Sequence, residues 1–172
     1  MLKKNKKFFI FFILLTSNFI NASIDDYIYK FNHVPSYSNY GTIGLIQMPS
    51  ARMMPAGSLA ISWSHSDPYL TGSVLAYPFN WFEASYQYTD INNALYSLTP
   101  SFSGDQTYKD KSFDAKFLLF KETNYLPAVA VGVRDMAGTG VFSSEYLVAS
   151  KTISKGFRVS AGLGTGRLAS EE

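Results

Sequence analysis

The sequence contains no cysteine, and that absence removes several kinds of chemistry at once. Disulfides, thiol catalysis and cysteine-ligated metals are all excluded. A lipoprotein-type anchor is not expected either, because that attachment needs a cysteine directly after the export signal. Histidine is almost as scarce: His33 and His65 lie far apart without ligand-like spacing, so no zinc-type metal site is expected. No serine nucleophile motif is present. Long apolar runs are missing too. The best of them, residues 8–15, is far short of the ~20 residues that a membrane-crossing helix requires. Charge is also sparse. Charged residues make up 16% of the chain, against roughly 25% in an ordinary soluble domain.

What is present begins with an export signal. Lys3, Lys4, Lys6 and Lys7 precede the apolar run, and Thr16, Ser17 and Asn18 follow it. Ile20-Asn21-Ala22 then offers a small-residue cleavage site, so residues 1–22 are expected to be removed on export. Cleavage there takes four of the 15 basic residues and none of the 13 acidic ones, which leaves 11 − 13 = −2. The basic excess therefore belongs to the signal, and no nucleic-acid partner is expected. Residues 23–57 are read as a periplasmic lead-in that ends in a Gly/Pro-rich segment, 41–57, too heavily punctuated for one long element.

After Gly57 the pattern changes to period two, the signature of strands with unlike faces. Leu59, Ile61 and Trp63 alternate with Ala60, Ser62 and Ser64. Phe82, Ala84, Tyr86 and Tyr88 alternate with Glu83, Ser85, Gln87 and Thr89. Phe113, Ala115 and Phe117 alternate with Ser112, Asp114 and Lys116. Val129, Val131 and Val133 follow, and later Phe157, Val159, Ala161 and Leu163 alternate with Arg158, Ser160, Gly162 and Gly164. Runs 71–77 and 145–153 complete about seven strands, with no helix expected. Short connectors at 78–80, 121–124 and 154–156 alternate with longer ones at 66–70, 91–111 and 135–144. An up-and-down barrel sorts its connectors this way, with short periplasmic turns and long outer loops.

The expected fold is therefore all-β: an antiparallel up-and-down membrane β-barrel in the cell outer membrane. Its apolar face meets lipid and its polar face lines the lumen. Bacterial barrels have even strand numbers, so an odd count that stops near Glu172 implies an N-terminal portion, 58–172, that ends before closure. A soluble periplasmic β-sandwich used for binding remains a second reading of the same alternation.

Three stretches carry a resemblance to a known family: GTIGLIQMPSARMMPAGSL at 41–59, YKDKSFDAKFLL at 108–119, and YLPAVAVGVRDMAGTGVFSSEYLVASK at 125–151. Over residues 41–167 the chain resembles the YjbH family of outer-membrane β-barrel proteins associated with exopolysaccharide production. The resemblance implies a role in exopolysaccharide export or assembly. The implied partners are outer-membrane lipid, exopolysaccharide and other polysaccharide-export proteins, with no cofactor and no catalytic residues to carry over. A general porin or structural barrel without a polysaccharide role is the alternative, because barrel folds serve many functions.

The candidate site residues are polar. Glu83, Asp114, Lys116 and Arg158 fall on inferred lumen faces. A pair of carboxylates is the residue set of glycoside cleavage, but Lys116 or Arg158 neutralising them is the simpler reading, so the chain is not expected to be an enzyme. Arg134 and Asp135 open a long loop that either meets polymer or is merely shaped by its charges and glycines. Trp63, Trp81, Phe82, Tyr86 and Tyr88 either stack on sugars or, as barrel aromatics more often do, form interfacial girdles. Gly162 to Gly166 lacks the following helix of a nucleotide loop. Gly44, Pro49 and Arg52 mark the Gly/Pro-rich segment, which either caps the lumen or only steers the chain into its first strand.

Overall fold

A computed structural model describes residues 35–154 and 157–169. The expected signal (1–22), residues 23–34 of the lead-in and His33 lie outside the described residues. Within them, the seven expected strands all form. They follow a two-stranded hairpin, β1 (Gly44–Leu45) and β2 (Met48–Pro49), as β3 (Ser58–Ser66), β4 (Tyr69–Phe79), β5 (Phe82–Leu95), β6 (Thr107–Phe120), β7 (Ala128–Arg134), β8 (Ser144–Ser154) and β9 (Phe157–Gly164). Strands β3 to β9 make one antiparallel meander in sequence order. The two outermost strands, β3 and β9, are not paired with each other. The sheet is strongly curled. Arg167, just beyond β9, reaches across the concave side to donate to the hydroxyl of Tyr69 on β4, at 2.9 Å.

The register keeps like with like across neighbouring strands. Ile61, Val74, Tyr86 and Phe113 lie opposite one another in turn, as do Phe82, Phe117, Val131, Leu147 and Leu163. On the other face the partners are Ser85 with Asp114, Gln87 with Ser112, and Thr89 with Asp110. Because side chains alternate strictly, one slip in register would exchange the two faces, so the pattern fixes the pairing.

Connector lengths differ from expectation in three places. Pairing of β3 with β4 runs to Ser66 and Tyr69, which shrinks the supposed 66–70 loop to Asp67-Pro68. Strands β5 and β6 continue their pairing past Ile91 to Leu95 through a register shift, so the long loop is 96–106 rather than 91–111. In the other direction, the short connector at 121–124 extends to 127, since β7 starts only at Ala128. Two of the three connectors at one end remain long and two of the three at the other remain short. The 96–106 loop also holds a single helical turn, Pro100–Ser103, where no helix was expected. Pro100 suits a first helical position, and Gly104, with φ 57°, ends the turn. No helix among the described residues is long and apolar enough to cross a membrane, which has no bearing on crossing by strands.

Candidate functional site

The two faces of the curled sheet are reversed relative to a soluble domain. Convex side chains are apolar and exposed: Leu59 is 72% accessible, Ile61 85% and Trp63 73%. Concave side chains are buried and many are polar, among them Thr71, Ser73, Glu83, Gln87, Asp110, Asp114, Lys116 and Arg134. Buried polar groups are costly without partners, and most of these find them in one another or in the chain segment that precedes β3.

That segment, 35–57, lies against the concave face. Its hairpin β1–β2 is closed at Ile46, which takes a left-handed φ of 53°. Ile43, Ala51 and Met54 are buried. Ala51 joins a small apolar cluster with Ala128, Ala130, Tyr146 and Val148 of the wall. Five strands hold the segment, mainly through its backbone. The Ser64 hydroxyl donates to the Asn39 carbonyl and Ser73 to that of Tyr40 (3.4 Å). Arg134 reaches the Gln47 carbonyl (3.4 Å) and Lys116 the Arg52 carbonyl (3.0 Å). Ser150 accepts from the Ala51 amide (2.9 Å). At Gly41 the backbone comes so close that a Cβ would run into the Ser73 side chain, and its φ of 79° favours glycine as well. At Gly44 a Cβ would meet the Met48 carbonyl across the hairpin, where Gly44 pairs with Pro49. The segment thus packs as a plug inside the curl before it leads into β3.

Each polar candidate has a definite place. Glu83 and Lys116 face each other on β5 and β6 and form an ion pair of 2.9 Å, with both side chains 2% exposed. Asp114 is buried beside them, accepts from Gln87, and takes the Asp135 backbone amide at 2.9 Å. Arg158 lies apart, on the outermost strand β9 opposite Thr152. It forms no ion pair among the described residues, so Lys116 rather than Arg158 neutralises Glu83. Arg134 and Asp135 are buried instead of being presented to solvent at a loop. The Arg134 guanidinium sits 4.5 Å from the centre of the Tyr40 ring and 5.8 Å from that of Tyr146, clamping plug to wall by cation–π contact. Asp135, with φ 51°, shapes its loop by accepting from the Phe142 amide at 3.1 Å.

Sequence reasoning missed a latch at the short-turn end. Arg52 forms an ion pair with Glu122 and also donates to the Thr152 hydroxyl at 3.0 Å. Glu122 accepts from the Thr152 amide at 2.6 Å, and Lys151 stands 3.6 Å away. Partial burial works against the Glu122 charge, but the Thr152 amide and Arg52 outweigh it and hold the carboxyl at about 2. The only sequence signal was Arg52 between two prolines, which gave no hint of its partner.

The aromatics divide by face. Phe79, Trp81, Phe82 and Phe117 stack together on the convex side near the β4–β5 turn, with Phe79 and Trp81 at 5.2 Å and Phe82 and Phe117 at 4.9 Å. Trp63 lies over Gly72 further along the same face. None of these five lines the concave side, where Tyr40, Tyr77 and Tyr146 sit instead.

The chain matches the YjbH family, described as "Exopolysaccharide biosynthesis protein YbjH", over residues 36–172. A relative in Escherichia coli (strain K12), named "Uncharacterized lipoprotein YjbH", is 48% identical over 134 residues. That segment is 78% of this chain and 19% of the relative, so the chain spans about a fifth of the relative's length. No solved structure matches. The matched span contains every strand, the plug and the latch, and the chain belongs to the YjbH family of exopolysaccharide biosynthesis proteins.

Proposed function

We propose that this chain forms part of an outer-membrane β-barrel that takes part in exopolysaccharide export or assembly without being an enzyme. One observation carries the barrel reading: the sheet exposes Leu59, Ile61 and Trp63 on its convex face while it buries the Glu83–Lys116 pair on its concave one. In water that arrangement leaves a broad apolar surface uncovered. In a bilayer it is the favoured arrangement, with lipid outside and polar groups within. Strands of 11 residues (β4, β8) and 14 residues (β5, β6) have the length for a tilted crossing, which takes ~9–11. The convex aromatic cluster beside a short turn fits an interfacial girdle. A soluble β-sandwich would need a second sheet over the convex face, and no described residue covers it.

The polysaccharide role rests on the family's description. The relative's lipoprotein name points to the cell envelope as well. Partners on this reading are outer-membrane lipid, the polymer and other export proteins, with no nucleic acid. Because the plug is bonded to Lys116 and Arg134, polymer can meet the buried lumen groups Glu83 and Asp114 only if segment 35–57 shifts. Deletion of the gene, complemented by the intact protein, tests the role. Secreted polymer should fall and recover. Normal polymer with altered uptake of small solutes would favour a general porin instead.

A further inference from the structure

Two buried carboxylates near the β7–β8 loop are each left only half satisfied by protein contacts. Asp110, on β6, is fully buried. One of its oxygens, Oδ1, accepts from the Thr139 hydroxyl, while Oδ2 is buried without a partner. Asp135 is likewise buried. Its Oδ2 accepts from the Phe142 amide, with the Gly140 amide also close, while Oδ1 is buried without a partner. Gly138 shows where the free oxygen points, since a Cβ there would run into both Asp135 Oδ1 and the Lys111 carbonyl oxygen. Oxygens from β6 and from one loop therefore gather around residues 138–139.

No lysine or arginine is ion-paired with either carboxylate among the described residues. The nearest guanidinium in sequence, that of Arg134, is turned toward Tyr40 and Gln47. Two neighbouring buried carboxylates without a cation are unstable as a charged pair. One resolution is a proton. Burial pushes the Asp135 carboxyl up, the Phe142 amide opposes this, and the Asp110 charge adds to it. The other resolution is a metal ion.

We propose that Asp110 and Asp135, with the Lys111 carbonyl and the Thr139 hydroxyl, bind a divalent cation of the calcium type. The donors are all oxygen, which suits a hard cation and not zinc. No group of three or more His, Cys, Asp or Glu side chains gathers for a metal among the described residues, so the site has two carboxylates, two neutral oxygens and water. Low ligand charge of that kind gives a dissociation constant of roughly 10⁻⁴ to 10⁻³ M, the range of extracellular modules. The cation would tie the 135–143 loop to β6 where β7 no longer pairs with it.

The test is terbium luminescence of the folded full-length protein in detergent, with Ca²⁺ as competitor. The parent should show saturable binding that millimolar Ca²⁺ displaces. Asp110→Asn and Asp135→Asn should each weaken it about tenfold or more, and Asp105→Asn, in the exposed 96–106 loop, should leave it unchanged. Thr139→Val changes only an exposed loop side chain, so it tests the site even if the Asp110 variant does not fold, and it should weaken binding several-fold. Binding that survives the Asp135 and Thr139 variants overturns the proposal. So does the absence of binding in the folded parent.

Discussion

The ammonium group of Lys116 lies 2.9 Å from Glu83 Oε2 and 3.0 Å from the carbonyl oxygen of Arg52, so one buried cation joins two strands of the wall to the plug. Lys116→Met would strand the Glu83 carboxylate in the interior. The expected loss is about 3–5 kcal/mol, read as a lower urea midpoint of the refolded protein. The double variant Glu83→Leu with Lys116→Met should recover much of that loss, because replacing a whole buried pair by apolar groups is often neutral.

Convex positions should respond to charge as lipid-facing ones do. Ile61→Arg and Leu147→Arg are each expected to cost up to about 2–4 kcal/mol in bilayers, with the larger value nearer the midplane. On a face bathed in water the same changes would stay within about 0.5 kcal/mol. Equilibrium unfolding from lipid vesicles distinguishes the two.

The plug should be displaced by crowding at its tightest approach. Gly41→Ala forces a Cβ into Ser73 at a left-handed φ and is expected to make segment 35–57 sensitive to protease while the strands stay protected. Limited proteolysis followed by mass spectrometry of the fragments checks this. Ser62→Ala, on the neighbouring strand, serves as the control.

The latch should depend on pH in one direction only. Glu122 has a depressed carboxyl, held at about 2 against an ordinary 4.5. Its contribution is therefore complete above pH 4.5 and is lost as the pH falls through about 2. Protease sensitivity of 35–57 in the parent should rise only at that acid extreme, using an acid-active protease. Glu122→Gln should show elevated sensitivity at every pH and a flatter profile.

Most of the wall was legible because period-two alternation is a property of side chains, and all seven runs, from Leu59 to Gly164, became strands. Strand ends were less legible. Asn92, Asn93 and Lys109 look like loop residues, yet backbone pairing carries β5 and β6 through or past them. The plug was hidden for a related reason: it docks largely through the carbonyls of Asn39, Tyr40, Gln47 and Arg52, and a carbonyl leaves no trace in the residue types. Arg134 was read as a loop residue because Asp135 and three nearby glycine and threonine positions follow it. It is in fact the last inward position of β7, which carries it under Tyr40. Register chose between Lys116 and Arg158 as partner of Glu83, and register comes from the whole sheet rather than from either residue.

The central claim is that the apolar convex face meets lipid. Its most direct test is fractionation of the full-length protein from cells, with gel mobility compared before and after boiling. Recovery in the outer membrane with a heat-dependent mobility shift is the predicted result. Recovery in the soluble periplasm without detergent, with one mobility at all temperatures, would contradict the claim and require another surface to cover Leu59, Ile61 and Trp63.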